Sequence, residues 1–158
     1  MGDLTAFTDS NVILNHLEGK LDLSELRNKY TLCSNAIVFS EVFIVYVKAI
    51  TRKRSYELKK NPELIVEKKD ELEELFTLFE IFEELEINKE IRNLAYEFVK
   101  KYGLLPNDAL ILATCKFYGI KYLISFDGDF ERACKEEDIR LIDNISILTD
   151  KFSSNRKI

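Results

Sequence analysis

Three acidic residues of this sequence stand in apolar surroundings, where a carboxylate is a candidate for chemistry. Asp9 lies between two mainly apolar segments, Glu41 is the only charged residue in positions 30–47, and Asp108 is the only one in positions 102–115. A lone buried carboxylate is costly unless a cation or hydrogen-bond donors face it. The sequence therefore predicts that these acids share a compensating partner.

The order of the predicted elements brings these acids to one edge of a sheet. Asp9 follows a predicted strand, Asp108 opens a predicted helix, and Asp127 and Asp129 lie just after another strand. Glu41 is near the start of a predicted helix and can point to the same place. In an open α/β sheet, ligands bind in the crevice beyond the carboxyl ends of the strands. We therefore expect a shared site there.

The alternation of strands and helices predicts a parallel sheet that is covered on both faces. Strands are predicted at 4–8, 30–34, 80–87, 122–125 and 140–142, and helix is a rival for 80–87. Helices are predicted at 11–18, 21–29, 36–51, 63–79, 88–102, 106–118 and 130–137. The apolar helix 36–51 is expected to be buried on more than one side.

Clustered carboxylates repel one another, and a divalent cation removes that conflict. Oxygen ligands favour Mg²⁺ or Mn²⁺ over zinc, since no histidine or cysteine joins the cluster. Such an ion lowers the pKa of water and stabilises charge on a phosphoryl oxygen. Hydrolysis of a phosphodiester is the reaction class that this site suits.

Four short motifs in this order resemble those of the PIN-domain nucleases, and the VapC-type toxins are the closest group by size and layout. The motifs are Asp9-Ser10-Asn11, Ser40-Glu41, Asn107-Asp108-Ala109 and Ser125-Phe126-Asp127-Gly128-Asp129-Phe130. The resemblance covers about residues 4–145. It implies a three-layer α/β/α sandwich with a parallel sheet of about five strands. It also implies a ribonuclease site that depends on Mg²⁺ or Mn²⁺.

The resemblance assigns roles to particular residues. Catalysis and metal binding would fall on Asp9, Glu41, Asp108 and Asp127, with water bound to the metal attacking the phosphodiester of RNA. Asn11, Ser125 and Asp129 would support them, Ser125 stands where the family usually has threonine, and either Asp127 or Asp129 could be the fourth ligand. The basic residues Lys48, Arg52, Lys53 and Arg54 could contact RNA phosphates, although a solvated helix face is an equal alternative.

The expected protein is a single domain over residues 1–150, with a helical insert at about 53–80 and a loose tail at 151–158. Expected partners are single-stranded or structured RNA, a second copy in a homodimer, and an antitoxin protein. A cytoplasmic location is expected because no signal peptide is indicated and no uncharged stretch approaches the roughly 20 residues of a membrane span. Cys33, Cys115 and Cys134 are interpreted as free core thiols.

A net charge of −5 excludes a generally basic nucleic-acid coat, so contact with nucleic acid must be local or run through a metal.

Each acid also has a structural explanation when it is taken alone. Asp9 could be a helix N-cap, Asp108 could favour a helix dipole, and the sequence Asp127-Gly128-Asp129 could be a turn. For the whole chain, one alternative is an inactive PIN module that binds RNA or a protein. Another is a haloacid-dehalogenase-like phosphatase, which needs a second aspartate where this chain has Asn11.

Overall fold

A five-stranded parallel sheet forms the centre of the computed structural model, which describes residues 4–144. The strands lie in the order β3-β2-β1-β4-β5. Their bounds are β1 Leu4–Thr8, β2 Tyr30–Ser34, β3 Glu83–Glu84, β4 Tyr122–Ile124 and β5 Arg140–Ile142. Because all the strands are parallel, their carboxyl ends share one edge, and β1 with its neighbours β2 and β4 forms the middle of that edge.

Helices connect the strands. Their bounds are α1 Ser10–Leu17, α2 Leu23–Lys29, α3 Ala36–Thr51, α4 Ser55–Lys60, α5 Glu63–Val66, α6 Lys69–Phe79, α7 Lys89–Tyr102, α8 Pro106–Phe117 and α9 Glu131–Glu136, with a short 3₁₀ helix at Gly128–Phe130. Helix α7 packs along α8, and α3 packs against α1, α6 and α8.

Both faces of the sheet are covered. Ala6, Phe7 and Thr8 follow one another in β1, and all three are fully buried. Successive side chains of a strand point to opposite faces, so helices must cover each side of this strand. The predicted α/β/α arrangement with a parallel sheet of about five strands is therefore confirmed.

Two predicted elements differ from the structure in extent. The segment 80–87 contains a strand, but β3 is limited to Glu83–Glu84, which pair with Cys33 and Ser34. The predicted acidic helix 63–79 is wrong as a single helix, because Lys68 leaves the helical region of the backbone (φ −100°, ψ 20°). The break separates α5 from α6, and each of them contacts α3 independently.

Helix α3 is less buried than its composition predicts. Val38 and Val42, four residues apart, are buried on one side of the helix, and Val47 is buried on the opposite side, as expected. Ile44 and Val45, however, are 41% and 46% exposed. A continuous apolar run indicates how much surface could be buried, but neighbouring elements decide how much actually is.

Several smaller expectations can be compared with the structure. The three cysteines are buried and free, as predicted. His16 accepts a hydrogen bond from the Leu23 backbone N–H (3.2 Å) at the start of α2. None of the described helices combines the length and apolar character that crossing a membrane requires. The domain limits remain a prediction, and the expected loose tail at 151–158 lies outside the described residues.

Candidate metal centre

Asp9 is placed by the end of β1 and the start of α1. Its backbone continues the sheet, since Asp9 N–H donates to the Ile124 carbonyl (3.0 Å). Its side chain is the N-cap of α1 and accepts from Ser10 N–H (2.7 Å). The structural explanation of Asp9 as a helix cap is thus true, but it involves only Oδ1. Oδ2 faces the end of β4.

Asn11 and Ser125 connect Asp9 to the loop after β4. The Ser125 hydroxyl donates to Asp9 Oδ2 (2.7 Å) and accepts from the backbone N–H of Asp127 (3.1 Å). Asn11 Oδ1 accepts from Phe126 N–H (3.2 Å), and its Nδ2 donates to the Ser125 hydroxyl (3.3 Å). This network orients Asp9 and at the same time holds the loop that carries the fourth acidic motif.

Three carboxylates meet beside this network. Asp108, in the first turn of α8, and both Asp127 and Asp129 each offer an oxygen atom, and these oxygens lie within 4.8 Å of one another. Asp127 also caps the 3₁₀ turn by accepting from Asp129 N–H (2.9 Å). Both Asp127 and Asp129 therefore approach Asp108, and the choice between them as the fourth ligand stays a prediction.

Glu41 approaches the cluster from α3. Burial and the nearby charge of Asp9 raise its pKa, and hydrogen bonds with Asn107 and Ser10 lower it by less. Its Oε1 atom is buried and has no hydrogen-bond partner among the described residues. A buried acceptor without a partner is costly, so this oxygen is available to a ligand other than the described residues.

The five acids of the site carry negative charge that no nearby basic side chain among the described residues compensates. The pKa of Asp9 is raised, mainly because Asp9 is buried and secondarily because of Asp127. The pKa of Asp108 rises to about 6, first through burial and then through the charges of Asp127, Asp9 and Glu41. Within residues 4–144, no ion pair involves any of the five acids. The arrangement lacks a cation of its own.

The available donor atoms suit a hard divalent cation. Asp9, Glu41, Asp108, Asp127 and Asp129 offer only oxygen, which Mg²⁺ and Mn²⁺ prefer and which does not select zinc. The single histidine of the chain is engaged at α2, and burial raises the pKa of the Cys115 thiol well above its usual range. The residues present therefore fit a metal ion of the magnesium class.

The predicted basic contacts lie farther along α3. Lys48 is seven residues beyond Glu41, which corresponds to about 10 Å along the helix axis on the same side. Lys48, Arg52 and Arg54 make no ion pair within the described part of the chain, whereas Lys53 lies 3.8 Å from Glu57. These cations are near the helix end and outside the carboxylate cluster.

Two residues that contact Glu41 were not identified as site residues from the sequence. Ser10 and Asn107 both lie close enough to its carboxylate to lower its pKa. Their position in the sequence could have indicated a role at the site, because each directly neighbours an acid of the cluster, Asp9 or Asp108. Adjacency in sequence does not reveal that both side chains turn towards a third helix.

Residues 6–136 match the model of the PIN-domain family, so the chain belongs to the PIN-domain family. This match runs from within β1 to the end of α9 and includes all five acids, while β5 lies outside it. It confirms the resemblance that the four motifs indicated.

Two curated proteins of Methanocaldococcus jannaschii are similar to this chain. Ribonuclease VapC2 is 47% identical over 131 residues, which cover 80% of this chain and 87% of that protein. Ribonuclease VapC6 is 34% identical over 145 residues, which cover 84% of this chain and 94% of that protein. The predicted likeness to the VapC-type group is therefore confirmed.

Solved structures share the fold at much lower identity. VapBC2 from Rickettsia felis, bound to a DNA fragment from its promoter, has a TM-score of 0.60 at 13% identity, over 88% of this chain and 98% of that one. VapBC-1 from nontypeable Haemophilus influenzae has a TM-score of 0.58 at 18% identity, over 89% and 98%. The similarity supports the architecture of the sheet and its helices.

Proposed function

We propose that this protein is an endoribonuclease that hydrolyses RNA phosphodiester bonds and depends on Mg²⁺ or Mn²⁺. One observation carries the proposal: oxygens of Asp108, Asp127 and Asp129 lie within 4.8 Å of one another, and the charges of Asp9 and Glu41 also act on Asp108. Among the described residues, no ion pair compensates these five acids. Membership of the PIN-domain family and the 47% identity to a ribonuclease support the same reaction.

In this proposal Asp9, Glu41, Asp108 and Asp127 hold the ion, and Asp129 shares the position of Asp127. When bound, the ion would supply the positive charge that activates water and stabilises a phosphoryl oxygen. The protein's own groups set up that arrangement. The fold holds these buried carboxylates close together against their mutual repulsion, at a cost in free energy that a cation relieves.

Asn11 and Ser125 have a positioning role in this reaction. Both contact Asp9 and the loop of Asp127, so they orient two of the proposed ligands at once. Loss of a group that fixes the direction of a metal ligand typically lowers metal affinity or activity by about 10- to 100-fold.

RNA is the proposed substrate, and Lys48, Arg52, Lys53 and Arg54 are its proposed phosphate contacts. Their support is charge: this cluster is basic in a protein whose net charge is −5, and most of it is not neutralised by ion pairs within residues 4–144. Phosphate contacts of this kind weaken as salt concentration rises.

An antitoxin protein, a second copy of the chain and a cytoplasmic location complete the proposal. The antitoxin is suggested by the fold shared with toxin–antitoxin complexes such as that from Klebsiella pneumoniae. The exposed apolar residues Ile44, Val45 and Phe76 offer surface for protein contacts. The dehalogenase-like phosphatase is set aside because the chain belongs to another family, and the inactive PIN module is tested by the experiment below.

The decisive experiment compares the unaltered protein with Asp9→Asn. Cleavage of a single-stranded RNA oligonucleotide is measured during titration with Mg²⁺ or Mn²⁺ after treatment with a chelator. Asp9→Asn should reduce cleavage to the chelated background, because the change removes one ligand charge and keeps the shape of the side chain. Asp70→Asn, at an exposed aspartate of α6, is the control and should cleave normally.

Thermal unfolding of both variants establishes that they are folded. Metal-dependent cleavage by folded Asp9→Asn would contradict the assignment of Asp9. Binding of RNA by the unaltered protein with no cleavage at any metal concentration would favour the inactive module instead.

A further inference from the structure

Asn35 is a buried polar residue that the proposed chemistry does not use. It lies between β2 and α3 and is 1% exposed. Its Oδ1 accepts from the backbone N–H groups of Ile37 and Val38, both at 3.1 Å, and thereby caps α3. Its Nδ2 donates to the Thr114 hydroxyl at 3.0 Å. The cap alone would need only the oxygen, so the amide group does something further.

Thr114 receives this bond from the middle of α8. Its side chain is fully buried, and its own hydroxyl hydrogen goes to the Leu110 carbonyl (2.7 Å). The hydroxyl therefore acts as an acceptor towards Asn35. The result is a directional connection from the N-terminus of α3 into the body of α8.

The two connected helices carry two of the proposed metal ligands. Glu41 follows Asn35 by six residues in α3, and Asp108 precedes Thr114 by six residues in α8. Each carboxylate is therefore about 9 Å along its helix from the connection. Glu41 also contacts Asn107, the residue before Asp108. A slide or rotation of α3 against α8 would change the separation of the two carboxylates directly.

We propose that the Asn35–Thr114 hydrogen bond is a positioning link that sets α3 against α8, so that Glu41 and Asp108 face one common cation. The inference rests on the proposed function of the same site. Apolar contacts between helices are not directional and tolerate small shifts, whereas a buried hydrogen bond has a narrow range of distance and angle. Functional constellations need their groups held to within about 0.5 Å.

The choice of cation provides a sharp test of positioning. Mg²⁺ demands nearly ideal octahedral geometry, while Ca²⁺ accepts irregular arrangements of oxygen ligands. If the link sets ligand geometry, its loss should weaken Mg²⁺ binding more than Ca²⁺ binding. If the link only stabilises the fold, its loss should lower the melting temperature and leave the affinity of the folded protein for both ions unchanged.

The variant that removes the link is Thr114→Val, which nearly keeps the shape of the side chain and leaves the Asn35 cap intact. Thr114→Ser keeps the hydroxyl and is the matched control. Calorimetric titration of the full-length, metal-free protein with MgCl₂ and with CaCl₂ gives the two affinities. Thr114→Val should bind Mg²⁺ about tenfold more weakly than the unaltered protein, as is typical when a group behind a ligand is lost.

Ca²⁺ affinity should fall by a smaller factor, and Thr114→Ser should restore most of the Mg²⁺ affinity. Equal Mg²⁺ affinity in folded Thr114→Val and the unaltered protein would overturn the proposal that this hydrogen bond positions the ligands. If Thr114→Val does not fold, Asn35→Ser replaces it, because serine also caps a helix but is too short to reach Thr114. The same loss of Mg²⁺ affinity is expected for Asn35→Ser. An unchanged Mg²⁺ affinity in that variant overturns the proposal. Failure of the unaltered protein to bind Mg²⁺ would instead contradict the proposed function itself.

Discussion

The clearest consequence of the carboxylate cluster is that it should cost the metal-free protein stability, and Asp108→Asn isolates that cost. Burial and the neighbouring acids raise the pKa of Asp108 from 3.8 to about 6. A shift of about 2 units corresponds to about 3 kcal/mol. Because Asp108 is half-buried and solvent screens its charge, we expect the ionised carboxylate to lower the free energy of unfolding by about 1–2 kcal/mol.

The sign follows from the direction of the pKa shift. Above pH 6 the Asp108 carboxyl is ionised in both folded and unfolded protein, and the folded state bears the full cost. As the pH falls from 6 towards 3.8, the folded protein takes up a proton before the unfolded chain does, so the cost disappears. Asp108→Asn should therefore raise the free energy of unfolding by about 1–2 kcal/mol at pH 8, and by only a few tenths at pH 4.

Urea unfolding in EDTA at pH 8 and at pH 4 measures both values. Asp70→Asn is the control and should change stability by less than about 0.5 kcal/mol at either pH. Added Mg²⁺ should then stabilise the unaltered protein much more than Asp108→Asn, because binding to the folded state alone adds to its stability. A variant that is no more stable at pH 8, or whose gain persists at pH 4, would refute the argument from charge crowding.

Two further predictions concern the supporting structure. Glu137 has a lowered pKa, since hydrogen bonds from Tyr102 and Lys116 and the charge of Lys116 outweigh the opposing effect of burial. The stabilisation that the ionised Glu137 provides should be lost as the pH falls through that pKa. In urea unfolding, Glu137→Gln should therefore lower the free energy of unfolding by about 1–2 kcal/mol at pH 7 and by much less at pH 3. An equal decrease at both pH values would rule out the charge as the cause. The Thr8 hydroxyl is buried without a partner among the described residues, so Thr8→Val should leave the melting temperature unchanged or raise it, and a marked decrease would reveal an unseen partner for that hydroxyl.

The positions of the elements could be predicted from residue patterns because those patterns are local. Asn35 and Asn88 cap α3 and α7, a position that asparagine favours, and Gly103 ends α7 in the left-handed conformation that its type favours. Short-range rules of this kind failed at Lys68, where nothing in the charged run 67–71 marks the break between α5 and α6. The break depends on how each piece packs on α3, which is not a local property.

What the sequence by itself determined is the chemistry of the site. Acids isolated among apolar residues, most of them beside a strand end or a helix start, were predicted to gather at the carboxyl edge of a parallel sheet. Side-chain periodicity and strand direction predict which edge of the sheet these acids occupy, and this prediction needs no knowledge of tertiary contacts.

Only the tertiary structure decided how these groups meet. It turned Asp127 and Asp129 together towards Asp108, left Ile44 and Val45 exposed, and joined Asn35 to Thr114 across 79 positions of sequence. The physical reason is that periodicity specifies which face of an element a side chain occupies. The partner on that face, and the distance to it, depend on how separate elements dock against one another.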